Sequence, residues 1–233
     1  MARLLVHVEG ETEETFVNEM LSRHLQTVGY ERVSARLLGN SRLRVRRGGI
    51  RPWTSVKRDI VRHLKEDRLC LATTMVDYYG LPKSGDRAWP GREAATSLPV
   101  TEKASRVEDA LFDDIVSEMG SGFNTNRFVP YVVMHEFEGL LFSDCTAFAR
   151  GLGRPEMQAA FQEIRQQFAT PEEIDDSPTT APSKRVEGLI AGYDKPLLGT
   201  LAALEIGLSK ISAACPHFRS WLSRLEQLGR SSL

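Results

Sequence analysis

The sequence predicts an α/β protein: a mostly parallel four-stranded sheet flanked by helices, with a helical C-terminal extension. Three observations predict it. Short apolar runs, among them Leu4-Leu5-Val6-His7-Val8 and Leu69-Cys70-Leu71-Ala72-Thr73-Thr74-Met75-Val76, read as strands buried on both faces, as in a parallel sheet covered by helices. Such runs alternate with helix-spaced apolar residues in the order β-α-β-α-β-α-β, the pattern of crossover connections. Beyond about Leu140 no strand pattern recurs. The α/β unit is therefore assigned to residues 1–145 and a helical extension packed on it to residues 146–233.

The elements follow in order. After the first strand, Phe16, Val17, Met20, Leu21 and Leu25 recur at helical spacing, predicting a helix from about 12 to 27. Val33 to Leu38 reads as the second strand. Trp53, Val56, Ile60, Val61 and Leu64 mark the next helix, which leads into the strand ending at Asp77. A polar loop rich in Pro and Gly runs from Leu81 to about Pro99, and loops of that length are commonly functional. Val107, Ala110, Leu111, Ile115 and Met119 give a helix before the strand 128–134. In the extension, Met157, Phe161, Ile164 and Phe168 mark one helix, and a loop runs from Thr170 to Pro182. Pro216 opens the last helix, whose apolar stripe is Phe218, Trp221, Leu222, Leu225 and Leu228.

Composition narrows the function classes. The chain has 233 residues, 41% hydrophobic, enough for a substantial core. Thirty basic against thirty-one acidic residues leave a formal charge of −1, so a nucleic-acid surface has to be a local patch. Cys70, Cys145 and Cys215 are odd in number and far apart, which disfavours a disulfide framework or structural zinc and favours a reducing cytoplasm. No run approaches the roughly 20 apolar residues of a membrane span, and a membrane partner is not expected.

Acids stand where the apolar runs end. Glu9 and Glu13 follow the first run, Asp77 ends the third strand, and His135-Glu136-Phe137-Glu138 follows the fourth. Ligands of open α/β sheets gather at these carboxyl ends. Carboxylates brought together there repel one another and lose hydration, and a hard divalent cation such as Mg2+ or Mn2+ reverses that balance. Glu9, Glu13, Asp77, Glu136 and Glu138 are therefore the candidate metal ligands. Singly, each reads equally as a solvated acid or a helix cap. Glu136 and Glu138 share a face only if the backbone between them stays extended. His135 is either a proton shuttle beside the metal or a packed strand-end residue.

These residues carry a resemblance. Glu9-Gly10-x-Thr12-Glu13, Asp77-Tyr78-Tyr79-Gly80-Leu81-Pro82 and His135-Glu136-Phe137-Glu138 together resemble the Toprim fold, the Rossmann-like metal-binding module of topoisomerases, DnaG-type primases and nucleases of the overcoming-lysogenization-defect group. More narrowly, with Ala181-Pro182-Ser183-Lys184-Arg185, Tyr193-Asp194-Lys195 and Cys215-Pro216-His217-Phe218, the chain resembles a bacterial family of that clan, domain of unknown function 4276. The resemblance implies a four-stranded parallel Toprim-like sheet, with Glu9 as general acid/base or ligand and Asp77 as ligand. It also implies a metal-dependent nuclease hydrolysing phosphodiester bonds in DNA, or RNA; beside Glu9 and Asp77, the placement of His135, Glu136 and Glu138 makes them the further candidates for its catalytic set. An ATPase partner of the kind used in phage defence goes with it, and a homodimer is a further candidate assembly. The alternative is a non-catalytic subunit of an ATPase complex that binds nucleic acid or nucleotide. One departure stands out: Toprim proteins usually carry Asp-x-Asp at the second site, and here the second acid is replaced by Tyr79.

Arg42, Arg44 and Arg46 alternate with Leu43 and Val45, and Arg47 follows directly ahead of Gly48-Gly49, a pattern suited to gripping the phosphates of a nucleic acid, with a solvated edge strand as the alternative. Lys184 and Arg185 follow Ser183, a good N-cap, so a helix start there could hold an anion, with Lys195 joining them. Other chemistries find no motif. Gly139 stands where a zinc-protease helix needs its second histidine, and neither a phosphate-binding Gly-x-x-x-x-Gly-Lys loop nor a Gly-x-Ser-x-Gly elbow occurs.

Overall fold

The computed structural model describes residues 2–38, 49–175, 177 and 179–231. β1 (Ala2–Val8) leads into α1 (Glu11–Phe16), which continues through a π-helical turn, Val17–Leu21, into α2 (Ser22–Gln26). β2 (Tyr30–Leu37), α3 (Trp53–Glu66), β3 (Cys70–Asp77) and α4 (Val100–Met119) follow, then β4 (Phe128–Val129) and β5 (Val132–Val133). The remaining elements are α5 (Phe137–Leu141), α6 (Cys145–Gly151), α7 (Gln158–Arg165), α8 (Pro182–Leu189), α9 (Thr200–Ile206), α10 (Leu208–Ala214) and α11 (Pro216–Arg230).

The sheet runs β2-β1-β3-β4, with β5 also on β3, and every pairing is parallel. The α/β architecture with a helical C-terminal region is thus as expected. β2 starts three residues earlier than its apolar pattern, because Tyr30 pairs with Ala2 while the intervening Glu31 and Arg32 are exposed. The fourth strand, read from sequence as one run, is two short pieces. Pro130 has no N–H for the ladder, and the side chains of Thr73 and Thr74 fill the break. Thr73 donates to the Val129 carbonyl, while Thr74 Oγ1 donates to the Tyr131 carbonyl and accepts from its N–H, both at 2.9 Å.

Alternation along β3 sets up two cores. Ala72 and Val76 face α3 and α4, whereas Leu71 and Met75 join Leu4, Val6, Phe16 and the C-terminal helices. The second cluster is continuous across position 145, since Phe148, Phe161, Phe218 and Trp221 belong to it along with strand residues. Trp221 stacks on Tyr131 at 4.4 Å between ring centroids and donates Nε1–H to Thr73 Oγ1 at 2.9 Å. The loop after β3 is packed down by Trp89, whose Nε1–H reaches the Arg51 carbonyl at 3.0 Å. Arg92 also pins it, lying 3.8 Å over the Tyr78 ring and donating to the Tyr78 carbonyl and hydroxyl. Among the described residues no single helix is long and apolar enough to cross a membrane.

Trp221→Phe keeps an aromatic ring but loses the hydrogen bond and part of the buried indole volume, so urea unfolding should show a loss of about 1–2 kcal/mol. Trp221→Ala empties a buried site and should lose about 3–5 kcal/mol. Equal losses for the two variants would mean that the Thr73 bond, not the packing, anchors α11.

Candidate functional site

The carboxyl ends of β1, β3 and β5 bring their acids to one place. Glu9 leaves β1, and its carbonyl accepts the Gly49 N–H at 2.9 Å. Glu13 is buried in the first turn of α1, where its carboxylate accepts the Gly10 N–H at 2.9 Å. A Cβ on Gly10 would sit 3.0 Å from that carboxylate oxygen, which accounts for glycine there. Asp77 closes β3, and its Oδ1 accepts the N–H of Phe137, the first residue of α5, at 2.9 Å. Glu138, fully buried in the first turn of α5, receives the Tyr193 hydroxyl at 3.5 Å. The centre of the group is Lys195, whose Nζ lies 2.8 Å from Glu138 Oε2 and 3.4 Å from Asp77 Oδ2.

Electrostatics follow from burial. Desolvation, then the neighbouring Glu13, pushes the Glu9 carboxyl up to about 7, against the pull of Lys195. Desolvation also raises Asp77 well above the usual carboxylate range and raises Glu138, with Lys195 opposing both shifts. Burial of the Lys195 ammonium works the other way, but Asp77, Glu138 and Glu13 outweigh it and hold its pKa above the ordinary lysine value. Glu9 Oε2 is buried without a hydrogen-bond partner. It lies against the loop backbone, where a Cβ on Gly80 would come within 3.3 Å of it.

The sequence-derived candidates divide. Glu9, Glu13, Asp77 and Glu138 gather with Lys195. Glu136 and Glu138 point apart because the chain is extended at Glu136 and helical from Phe137. Glu136 Oε2 accepts the Ser183 N–H at 2.8 Å, at the start of α8. That helix begins at Pro182 with Ala181 as its N-cap, so Ser183 lies inside the first turn rather than capping it, and the anion held there is Glu136. Lys184 pairs with Glu187 at 2.6 Å, and Arg185 with Asp175 and the Thr180 carbonyl. Lys195, read from sequence with Lys184 and Arg185 as a phosphate contact, sits among the acids instead. His135 is buried, its ring 6.1 Å from that of Tyr78. Tyr79 is 41% exposed. Arg42, Arg44, Arg46 and Arg47 lie outside the described residues.

Sequence reasoning missed three participants. Tyr193 touches Glu138, and no local pattern marks that pairing. Glu172 accepts the N–H groups of His217 and Phe218 at 2.9 and 2.8 Å, capping α11 from a distant turn. Arg92 fixes the Tyr78 carbonyl beside Asp77.

The donor chemistry suits a hard divalent cation: carboxylate oxygens from separate strand ends, one of them an orphan. The geometry as it stands is not a ready-made cage. Among the described residues no three His, Cys, Asp or Glu side chains converge to hold a metal ion. Family comparison matches residues 8–226 to a model described as a domain of unknown function, DUF4276. Neither the curated proteins nor the solved structures yield a match.

Two outcomes follow from this geometry. A carboxyl group whose pKa is raised on folding binds its proton more tightly in the native state, so its contribution to stability is present below about 4.5 and is lost as pH climbs through about 7. With a chelator present, Glu9→Gln should therefore gain about 2 kcal/mol on wild type across that window, less than the full shift implies because Glu9 is partly exposed. Parallel stability–pH curves would show Glu9 to be unperturbed. Glu136→Ala should lower stability by about 1–2 kcal/mol and Glu136→Gln by less, as for loss of a helix cap. Thermal unfolding of the two variants measures this.

Proposed function

The chain belongs to the DUF4276 family, and on that footing we propose that it is a Toprim-type nuclease hydrolysing phosphodiester bonds in DNA, or RNA. It would use Mg2+ or Mn2+ and work beside an ATPase partner in bacterial defence. The observation that carries the reading is the meeting of Glu9, Asp77 and Glu138, from the ends of three parallel-paired strands, around one positive centre. The resemblance of the Glu9, Asp77 and Glu136–Glu138 segments to Toprim motifs supports it. Glu9, Glu13, Asp77 and Glu138 would hold the cation, which when bound polarises the phosphate and acidifies a water. Glu9, at the carboxyl end of β1, would serve either as general acid/base or as a further ligand of that cation. Asp77 is kept in one orientation by the Phe137 N–H, so its second oxygen is directed into the site.

A second reading, a non-catalytic subunit that binds nucleic acid or nucleotide, is favoured by one feature. Tyr79 stands where Toprim proteins usually carry the second acid. Nicking of supercoiled plasmid in Mg2+ or Mn2+, with and without an added partner ATPase, separates the two. The nuclease reading expects cleavage that falls by about 100-fold or more in Glu9→Ala and Asp77→Ala. Full cleavage by both variants would place the active site elsewhere, and binding without cutting in every condition would leave the subunit reading.

A further inference from the structure

We propose that Lys195 is a resident cation of the acidic site, one that a divalent metal ion displaces on binding. The inference rests on the metal reading above and specifies how such a site is kept folded and how it is loaded. Buried carboxylates need a counter-charge. Asp77, Glu13 and Glu138 are all buried, and among the described residues Lys195 is the cation paired with this group. Its ammonium stands where the acids converge.

The fit is incomplete in a way that a metal would correct. An ammonium offers three N–H donors and no more. Lys195 donates to Asp77 Oδ2 and its Nζ lies 2.8 Å from Glu138 Oε2, yet Glu138 Oε2 and Glu9 Oε2, the latter beside Gly80, are both buried without a hydrogen-bond partner. A divalent cation takes about six oxygens and would recruit Glu9 together with the oxygens that Lys195 now holds.

The lysine has a way out. Its backbone is fixed at the start of the π-helical turn Lys195–Gly199, where Asp194 accepts the Leu197 N–H at 3.2 Å. Its side chain, by contrast, is 36% exposed, so its four-carbon stem can swing to solvent without moving the turn. The carboxylates need not follow. Asp77 stays on the Phe137 N–H and Glu13 on the Gly10 N–H, since neither bond involves Lys195. Loading would also leave a free ammonium at the rim, where an anionic phosphodiester enters.

Two measurements test the exchange. In the wild-type protein, amine acylation read by mass spectrometry should rise several-fold at Lys195 when Mn2+ saturates, while the exposed Lys184 and Lys210 keep their rates. By calorimetry, Lys195→Met should bind Mn2+ about tenfold or more tightly than wild type, as relief of about 1.4 kcal/mol of competition requires. Asp77→Asn should abolish binding in both backgrounds. Mn2+ binding that depends on Asp77 without a rise in Lys195 labelling overturns the exchange and leaves the metal reading standing. No Mn2+ binding by either wild type or Lys195→Met removes both. Binding by Lys195→Met alone shows the lysine as a plug. The labelling arm needs no variant, so it decides even if Lys195→Met does not fold.

Discussion

Carboxylates buried at the ends of parallel strands are the constraint around which this molecule is arranged. Glu13, Asp77, Glu136, Glu138 and Glu172 are all buried, and each would be strongly destabilising without compensation. Compensation comes in two kinds. Backbone N–H groups at helix starts carry most of the load, and one ammonium, Lys195, takes the rest. The first kind builds the fold, and the second defines the candidate site.

At the helix starts the acids and the backbone stabilise each other. Asp77 receives the first N–H of α5, Glu136 an N–H in the first turn of α8, and Glu172 two N–H groups of α11. In each case the capping acid comes from another part of the chain. Short helices are marginal by themselves, and α5 and α8 have five and eight residues. An acid reaching in, Asp77 and Glu136 from the sheet end and Glu172 from the turn Pro171–Glu173, satisfies donors that the helix leaves open and meets the positive end of its dipole. The C-terminal helices are thereby tied to the strand ends, and this explains why one hydrophobic cluster runs from β1 to α11. Packing alone, through Trp221 on Tyr131 and the paired rings of Phe148 and Phe161, would fix their depth but not their polarity.

What the sequence reveals follows from how local each signal is. Apolar runs and helical stripes are local, and β1, β3, α3, α4 and α11 stand where their patterns place them. The split at Pro130 was legible from proline's missing N–H, but the two threonines that bridge it act across strands. Acids at strand ends were legible because an α/β sheet gathers its strand ends on one side. Their partners were not. Lys195 lies 118 residues from Asp77 in sequence, and nothing in Tyr193-Asp194-Lys195 marks the lysine for a carboxylate cluster rather than for solvent. Ser183 misled for a related reason. A good capping residue in isolation, it sits inside a helix that begins a residue earlier at Pro182, with the anion supplied from Glu136.

These two kinds of compensation differ in what holds them in place. The N–H groups that orient Asp77 and Glu13 belong to helix starts, and moving them means moving helices. The Lys195 contact belongs to a flexible side chain, more than a third open to solvent. An acidic centre whose oxygens are aimed by backbone but neutralised by a side chain can change its cation without changing its shape. Such a centre also separates two roles that a sequence runs together: the residues that shape the site are the acids and the amides, and the residue that sets its charge is the lysine.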